Sequence, residues 1–70
     1  MTNTELLKER IEKSGMKIGH IAKEIGISRG GLWKKMNNVS SFNQHEIDNL
    51  CKVLKITALK EKEAIFFAKM

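Results

Sequence analysis

The side chains best suited to binding chemistry in this chain are basic, and they are concentrated in a single stretch. Residues 17–38 hold one acidic residue, Glu24, and five basic ones, Lys17, Lys23, Arg29, Lys34 and Lys35. The stretch therefore supplies four of the five net positive charges of the chain. Lysine and arginine bind anions, above all phosphate groups. This concentration of charge favours a phosphate backbone as partner, with an acidic protein surface as the alternative.

Catalytic and metal-binding chemistry has little support among the other residues. His20 and His45 are not spaced with carboxylates or with Cys51 as metal ligands. No Ser–His–acid set can be assembled from so few candidates, and so short a chain has little room for a sheltered cleft. We predict no enzyme activity, no metal and no cofactor. Cys51 is the single cysteine, which is typical of a reducing compartment, and its place on an apolar helix stripe predicts an inert core thiol.

The length and composition predict one folded domain over residues 1–70. The apolar fraction of 41% and the charged fraction of 30% are typical of a globular protein rather than a disordered one. The longest apolar run, residues 64–68, is far shorter than the ~20 residues that cross a membrane. The polar start, Met-Thr-Asn-Thr-Glu, does not resemble a signal sequence. We therefore expect a cytoplasmic protein without a membrane partner.

Apolar residues recur at helical spacing, and proline is absent. Leu7 and Ile11 are four residues apart, and the i, i+3, i+4, i+7 pattern begins at Ile18 and again at Ile47. No strand-like alternation extends beyond a few residues. The predicted fold is all-α, with five short helices and short connections.

Polar residues and glycines predict where these helices begin and end. Thr2 and Glu5 have the spacing of a capping box, so the first helix should begin near Asn3. Gly15 is suited to end that helix in a left-handed conformation. Thr57 is the predicted cap of a C-terminal helix over about residues 57–69.

The clearest of these signals opens the fourth helix. Asn43 and Glu46 have capping-box spacing, with Phe42 and Ile47 at the positions of a hydrophobic staple. The segment before it, residues 38–41, reads as a loop.

The join between the second and third helices has the features of a helix-turn-helix. Gly26 follows an apolar stripe and supplies a positive φ without steric cost. Ala22, four residues earlier, is small enough for two helices to cross closely, and Ser28 can cap the third helix. Leu32 would hold the third helix against the second. We predict a helix-turn-helix over residues 17–37.

A known family shares this pattern of residues. The combination of Ile21-Ala22, Gly26-Ile27-Ser28 and Leu32 resembles the helix-turn-helix of phage lambda-type repressors and Cro proteins. The segments Gly-Ile-Ser-Arg, Leu-Trp-Lys-Lys-Met-Asn and Glu-Ala-Ile-Phe-Phe-Ala are similar to small phage and prophage regulators of Gram-positive bacteria. The resemblance implies a lambda-repressor-like domain whose third helix enters the major groove of operator DNA.

The resemblance also implies which residues would contact DNA. In the family, the first two residues of the recognition helix and one residue a turn later face base edges. The bidentate guanidinium of Arg29 would bond a guanine, Gly30 would let the backbone approach, and Lys34 would reach a base or a phosphate. The loop asparagines and serines, Ser41 among them, would donate to the DNA backbone. The full implied set is Lys17, Ser28, Arg29, Gly30, Trp33, Lys34, Asn37, Asn38 and Ser40.

Trp33 has three interpretations. It follows Arg29 by four residues and so shares its outward face. It would contact a sugar or thymine methyl, or a partner protein, unless its ring folds over a neighbouring helix.

The C-terminal segment is apolar around most of its circumference. Leu59 and Phe66 are seven residues apart and suit the core, whereas Phe67 or Met70 would remain outward. Exposed apolar surface on a helix often marks an interface, so we predict a dimer or partner interface that includes Phe66, Phe67 and Met70. The alternative is a frayed, partly exposed terminus.

Two functional hypotheses follow. The first is a sequence-specific DNA-binding transcriptional regulator that acts as a homodimer on double-stranded operator DNA. The second is an antirepressor or modulator that contacts a phage repressor through the same scaffold. Two departures from the family favour the second: Lys17-Ile18 replaces the frequent Thr-Gln or Ser-Gln pair, and Gly30-Gly31 weakens the recognition helix. The basic surplus fits either hypothesis.

Overall fold

The computed structural model describes residues 1–68, and within them the chain forms five helices and no strand. The helices are α1 Thr4–Ser14, α2 Ile18–Ile25, α3 Arg29–Met36, α4 Gln44–Leu54 and α5 Leu59–Phe66. The all-α prediction with five helices is confirmed, and the assignment to a lambda-repressor-like family stays a prediction. The C-terminal helix is shorter than the predicted 57–69, and its last predicted residue lies outside the described part of the chain. No helix in residues 1–68 is long and apolar enough to cross a membrane.

Most of the predicted helix ends are confirmed. Gly15 ends α1 at φ 72°, and Gly26 ends α2 at φ 79°, both left-handed. Asn43 and Glu46 form the predicted capping box at the start of α4. The Asn43 side chain accepts from the Glu46 N–H at 2.8 Å, and the Glu46 carboxylate accepts from the Asn43 N–H at 2.9 Å.

Two predicted caps are wrong by one residue. Asn3, not Thr2, caps α1 by accepting from the Leu6 N–H, while Thr2 is buried. At the start of α5 the cap position is Ala58 rather than Thr57, and no side chain of residues 1–68 caps that helix. At α1 two adjacent residues, Thr2 and Asn3, both have side chains that can cap a helix, so local sequence alone does not choose between them. At α5 the helix begins one residue later than predicted, which leaves Ala58 at the cap position.

A single core joins all five helices. The largest fully buried side chains are those of Leu7, Ile21, Leu32, Met36, Leu50, Ile56 and Ile65. Helix α2 packs against both α3 and α4, and α1 packs against α4 and α5. Cys51 is buried, as predicted, and burial raises the pKa of its thiol.

The C-terminal helix corrects two predictions. Leu59 is 69% exposed rather than buried, because α5 reaches the core only through its last turns, at Ile65 and Phe66. Helical periodicity predicts the direction in which a side chain points. It does not predict whether a neighbouring helix extends far enough along α5 to cover that side chain. Phe66 is 4% exposed, so it belongs to the core and not to the predicted interface. Its ring packs edge-on against Phe42 at a centroid distance of 5.7 Å.

Phe67 is 52% exposed and lines a small surface depression together with Met1, which is also exposed. Val39, another exposed apolar residue, directly follows Asn38, which lines the same depression. Met1 is placed there because its carbonyl accepts from the Ala68 N–H at 3.0 Å. Met70, the third predicted interface residue, lies outside the described residues.

Candidate nucleic-acid interface

The turn between α2 and α3 is built by local backbone bonds around a small side chain. The Ile27 N–H donates to the Ala22 carbonyl at 3.0 Å, and the Gly26 N–H donates to the Lys23 carbonyl at 3.2 Å. Both bonds close the end of α2 while Gly26 turns the chain. Ala22 and Leu32 are almost fully buried, so α3 is held against α2 along its inner side. The two helices and the glycine turn lie where the sequence predicted them, and the assignment of residues 17–37 to a helix-turn-helix stays a prediction.

The first turn of α3 depends on Ser28 and Gly31. The Ser28 hydroxyl accepts from the Gly31 N–H at 2.9 Å, which satisfies one unpaired donor of the helix start. A Cβ built at Gly31 would lie 3.0 Å from that hydroxyl oxygen. A Cβ built at Gly30 would meet no described atom within 4 Å. The two adjacent glycines therefore have different roles.

We expect opposite consequences when each of these glycines is replaced by alanine. Gly30→Ala should raise the free energy of unfolding by about 0.5–1 kcal/mol, because alanine restricts the unfolded chain and has space in the folded one. Gly31→Ala should be less stable than Gly30→Ala by about 1 kcal/mol, because its Cβ displaces the Ser28 cap. Urea denaturation followed by circular dichroism measures both. Equal stabilities would contradict the role assigned to Gly31.

The outer face of α3, which we define as Arg29, Gly30, Trp33 and Lys34, is exposed throughout. Its members form two neighbouring pairs four residues apart, on the side opposite Leu32 and Met36. The Trp33 residue is 55% exposed, so its ring is not folded away over a neighbouring helix. The face thus presents two cations, an aromatic side chain and a stretch of bare backbone.

Arg29 lies beside the start of α2, a proximity that sequence reasoning missed. A Cβ built at Gly19 would lie 4.0 Å from the Arg29 Cδ atom. Together with Lys17, Ile18 and His20 these two residues line an open depression. The 4.0 Å distance is an ordinary van der Waals contact, so the arginine stem packs beside position 19 without requiring glycine there. The arrangement brings Lys17 and Arg29, twelve residues apart in sequence, to one place.

The backbone N–H groups at the start of α2 also have no capping side chain among the described residues. Lys17 is at the cap position, no side chain of the described residues caps the helix, and its first turn contains no acidic residue. Uncapped backbone N–H groups and the helix dipole attract anions. The missing cap in the sequence around Lys17-Ile18 was the signal that could have indicated this. With Lys17 and Arg29 alongside, the depression has the chemistry to hold one phosphate group.

Lys35 points inward, although it is one of the five basic residues that give the stretch 17–38 its positive charge. Its Nζ atom lies 2.7 and 2.9 Å from the two carboxylate oxygens of Glu46 and 3.3 Å from the Ser41 carbonyl. The side chains of both ion-pair partners are largely covered. The pair fastens the end of α3 to the start of α4. The exposed cations of residues 17–38 are consequently Lys17, Lys23, Arg29 and Lys34.

Burial of Glu46 by itself raises the pKa of its carboxyl, but hydrogen bonds from the Lys35 ammonium and the Asn43 N–H outweigh it. The net result is a pKa below the ordinary value of 4.5. A carboxyl with a lowered folded pKa stabilises the native state above its unfolded pKa. That contribution is lost as the pH falls through the folded value.

We therefore expect the free energy of unfolding to decrease as the pH is lowered from above 4.5 to below it. The Glu46→Gln variant should lack the part of this acid dependence that Glu46 supplies, although it is less stable at neutral pH. Urea denaturation of both proteins at a series of pH values measures the difference. Parallel stability–pH curves for the two proteins would contradict the assignment.

In the loop after α3, the Asn38 side chain binds the N-terminal segment. Its side-chain oxygen accepts from the Thr2 N–H and its NH₂ group donates to the Thr2 carbonyl, both at 2.9 Å. One amide hydrogen is thus used within the protein, and the contact of Asn38 with DNA stays a prediction. Asn38 also adopts a positive φ of 62°, which asparagine tolerates better than most residues. Asn37 donates one amide hydrogen to the Trp33 carbonyl at 2.9 Å, and Ser40 remains exposed.

Comparison with protein-family models, with curated proteins and with solved structures finds no match for this chain. Within residues 1–68, no group of three or more His, Cys, Asp or Glu side chains is placed to hold a metal ion. The functional interpretation therefore rests on the outer face of α3 and the adjacent start of α2.

Proposed function

We propose that this protein is a sequence-specific DNA-binding transcriptional regulator of the phage Cro and repressor type. The observation that carries the proposal is the exposed outer face of α3 beside the uncapped start of α2. A helix held across another helix, with its polar side outward, fits the major groove of B-DNA. DNA recognition requires contacts to base edges and contacts to phosphates, and cations on α2 and α3 could supply both.

In this mechanism each part of the surface has a separate task. The α2 start and Lys17 bind a phosphate and thereby fix the register of the protein on the duplex. Arg29 then donates two hydrogen bonds to the O6 and N7 atoms of a guanine. The absence of a side chain at Gly30 lets the helix backbone come close to the base edges. Lys34, a turn later, adds a phosphate or base contact.

The regulator acts as a twofold dimer in this proposal. Exposed apolar side chains at Phe67, Met1 and Val39 give a second copy a surface to cover. Two copies related by a twofold axis read two half-sites about 34 Å apart, one turn of the DNA. A palindromic operator follows from that symmetry.

One observation favours the second candidate, an antirepressor or modulator that contacts a phage repressor. Trp33 is more than half exposed at the centre of the outer face of α3. Exposed aromatic side chains are enriched at protein interfaces, and cations around Trp33 would suit an acidic repressor surface.

A mobility-shift titration on the operator region of the protein's own gene cluster tests the proposal. We expect a specific complex whose affinity falls steeply as salt is raised, because cations on the protein displace counterions from the phosphates. A duplex with one half-site should bind more weakly than one with two. Failure to form any salt-sensitive complex at about micromolar protein would overturn the proposal. Capture of the neighbouring repressor without DNA would then support the antirepressor.

A further inference from the structure

A second surface lies away from α3, at the end of α4. We call it the α4–α5 groove. It is an open depression of about 670 Å³, with room for several side chains. Cys51 and Ile56 lie beneath it and are almost fully buried, and its rim includes Asp48, Lys52, Lys55 and Lys62. The apolar surface within reach of a ligand is therefore supplied mainly by the aliphatic stems of the lysines.

The rim of the groove carries a surplus of positive charge. Three lysines face a single acid, Asp48. The nearest other acid, Glu61, is held by Arg10 through an Nε–Oε2 contact of 2.9 Å. Within residues 1–68, no carboxylate lies within ion-pair distance of the three lysine ammonium groups. The groove therefore has cations that are not neutralised by the protein.

The ammonium groups of these lysines are not needed to finish α4. The Arg10 guanidinium donates to the carbonyls of Leu54 and Lys55 at 2.8 and 3.3 Å. The Ile56 N–H donates to the Cys51 carbonyl at 2.8 Å. The helix end is satisfied by these groups, and Lys62 belongs to a different helix altogether.

The backbone at Lys55 supports a role for its charge. Lys55 ends α4 with a positive φ of 57°, a conformation for which glycine is the usual choice. A lysine is strained there, yet the chain uses one, at the rim of the groove. Backbone preference therefore does not explain a lysine at this position.

We propose that the α4–α5 groove binds an acidic segment of a partner protein, with one apolar side chain of that segment against the aliphatic stems of the lysines and its carboxylates on the lysine ammonium groups. Aliphatic stems that end in cations are complementary to a peptide that combines apolar and acidic side chains. A phosphate backbone offers no apolar group to cover these stems.

The groove is remote from the outer face of α3. Helix α4 meets α3 at Glu46 and reaches the groove at Lys55, nine residues or about 13 Å along the helix axis. An acidic partner and a duplex on α3 would therefore occupy different ends of α4. This inference goes beyond the proposed DNA binding and does not depend on it.

Fluorescence polarisation of the labelled peptide EDELEDE tests the proposal. We expect saturable binding that Lys62→Gln weakens about twofold to fivefold, the effect of one exposed ion pair. Lys55→Gly should weaken binding to the same degree while raising the melting temperature, because glycine relieves the strained φ. That opposite movement separates loss of the charge from loss of the fold. Lys8→Gln, an equal change of charge on the exposed side of α1, is the matched control and should bind as the parent does.

The control peptides separate the two parts of the recognition. EDESEDE, without the leucine, should bind about tenfold more weakly, and QNQLQNQ should not bind measurably. The proposal is overturned if EDELEDE does not bind at about millimolar concentration, or if Lys8→Gln weakens it as much as Lys62→Gln. It is overturned equally if EDESEDE binds as well as EDELEDE. Loss of DNA binding with retained peptide binding in Lys62→Gln would assign the groove to nucleic acid instead.

Discussion

Replacing Lys35 by methionine lowers the free energy of unfolding by about 2–3 kcal/mol in the result we expect. The substitution leaves the Glu46 carboxylate covered and without its cation, 2.7 Å from where the ammonium group stood. Removing one partner of a fully buried ion pair costs about 3–5 kcal/mol, and partial exposure of this pair reduces the figure. Methionine keeps most of the apolar stem, so lost packing adds little. Urea denaturation at neutral pH gives the value.

Lys34→Met is the matched control, since it makes the same chemical change one residue away on the exposed side of α3. It should alter stability by no more than about 0.5 kcal/mol. A Lys35→Met and Glu46→Gln double-mutant cycle should give a coupling energy of about 1–2 kcal/mol. Glutamine keeps an acceptor for the Asn43 N–H, so the cycle reports the charge pair rather than the cap. Equal stability of Lys34→Met and Lys35→Met would refute the structural role of Lys35.

Arg29→Ala should reduce operator affinity by about 1–3 kcal/mol per half-site, roughly fivefold to 150-fold, if the proposed readout of guanine is correct. The loss should be smaller on nonspecific DNA, where no guanine is read in register. Specificity, defined as the ratio of the two affinities, would therefore fall. Mobility-shift titrations on operator and random duplexes at one fixed salt concentration measure that ratio.

Arg29→Lys distinguishes base readout from simple attraction of phosphate. Arg29 also lies beside the start of α2, where a cation of either type would attract a phosphate. Lysine keeps the charge but not the two-pronged donor pair, so readout predicts a loss of specificity close to that of Arg29→Ala. Lys34→Ala should weaken operator and random DNA alike. If Arg29→Lys kept full specificity, Arg29 would be a phosphate contact only.

The predictable part of the fold was governed by neighbours in sequence. Gly15, Gly26 and the pair Asn43 and Glu46 act on backbone groups no more than a few residues away, and all were placed correctly. Their hydrogen bonds close within a single turn, so spacing alone specifies them. The predicted cap at Thr2 failed because the adjacent Asn3 can also cap a helix, and the one at Thr57 failed because α5 begins one residue later, after Ala58.

The candidate site was predictable to a lesser degree. Helical periodicity correctly placed Trp33 outward and Leu32 inward, because the two directions follow from the 3.6-residue repeat. The proximity of Arg29 to Gly19 was missed, since it depends on the angle at which α3 crosses α2. The hydrogen bonds between the Asn38 amide and Thr2 were also missed, because Thr2 lies thirty-six residues earlier in the chain.

The basic stretch shows most clearly what each level determined. The sequence by itself determined that residues 17–38 carry the charge surplus, that they form two short helices around a glycine turn, and that one side of α3 faces outward. These properties depend on composition and local geometry. Only the tertiary structure decided that Lys35 pairs with Glu46, that Arg29 and Lys17 line the same depression, and that the unpaired lysines at the end of α4 and on α5 share a groove. A long side chain binds whatever the fold brings within its reach, and that partner is fixed by how the helices pack.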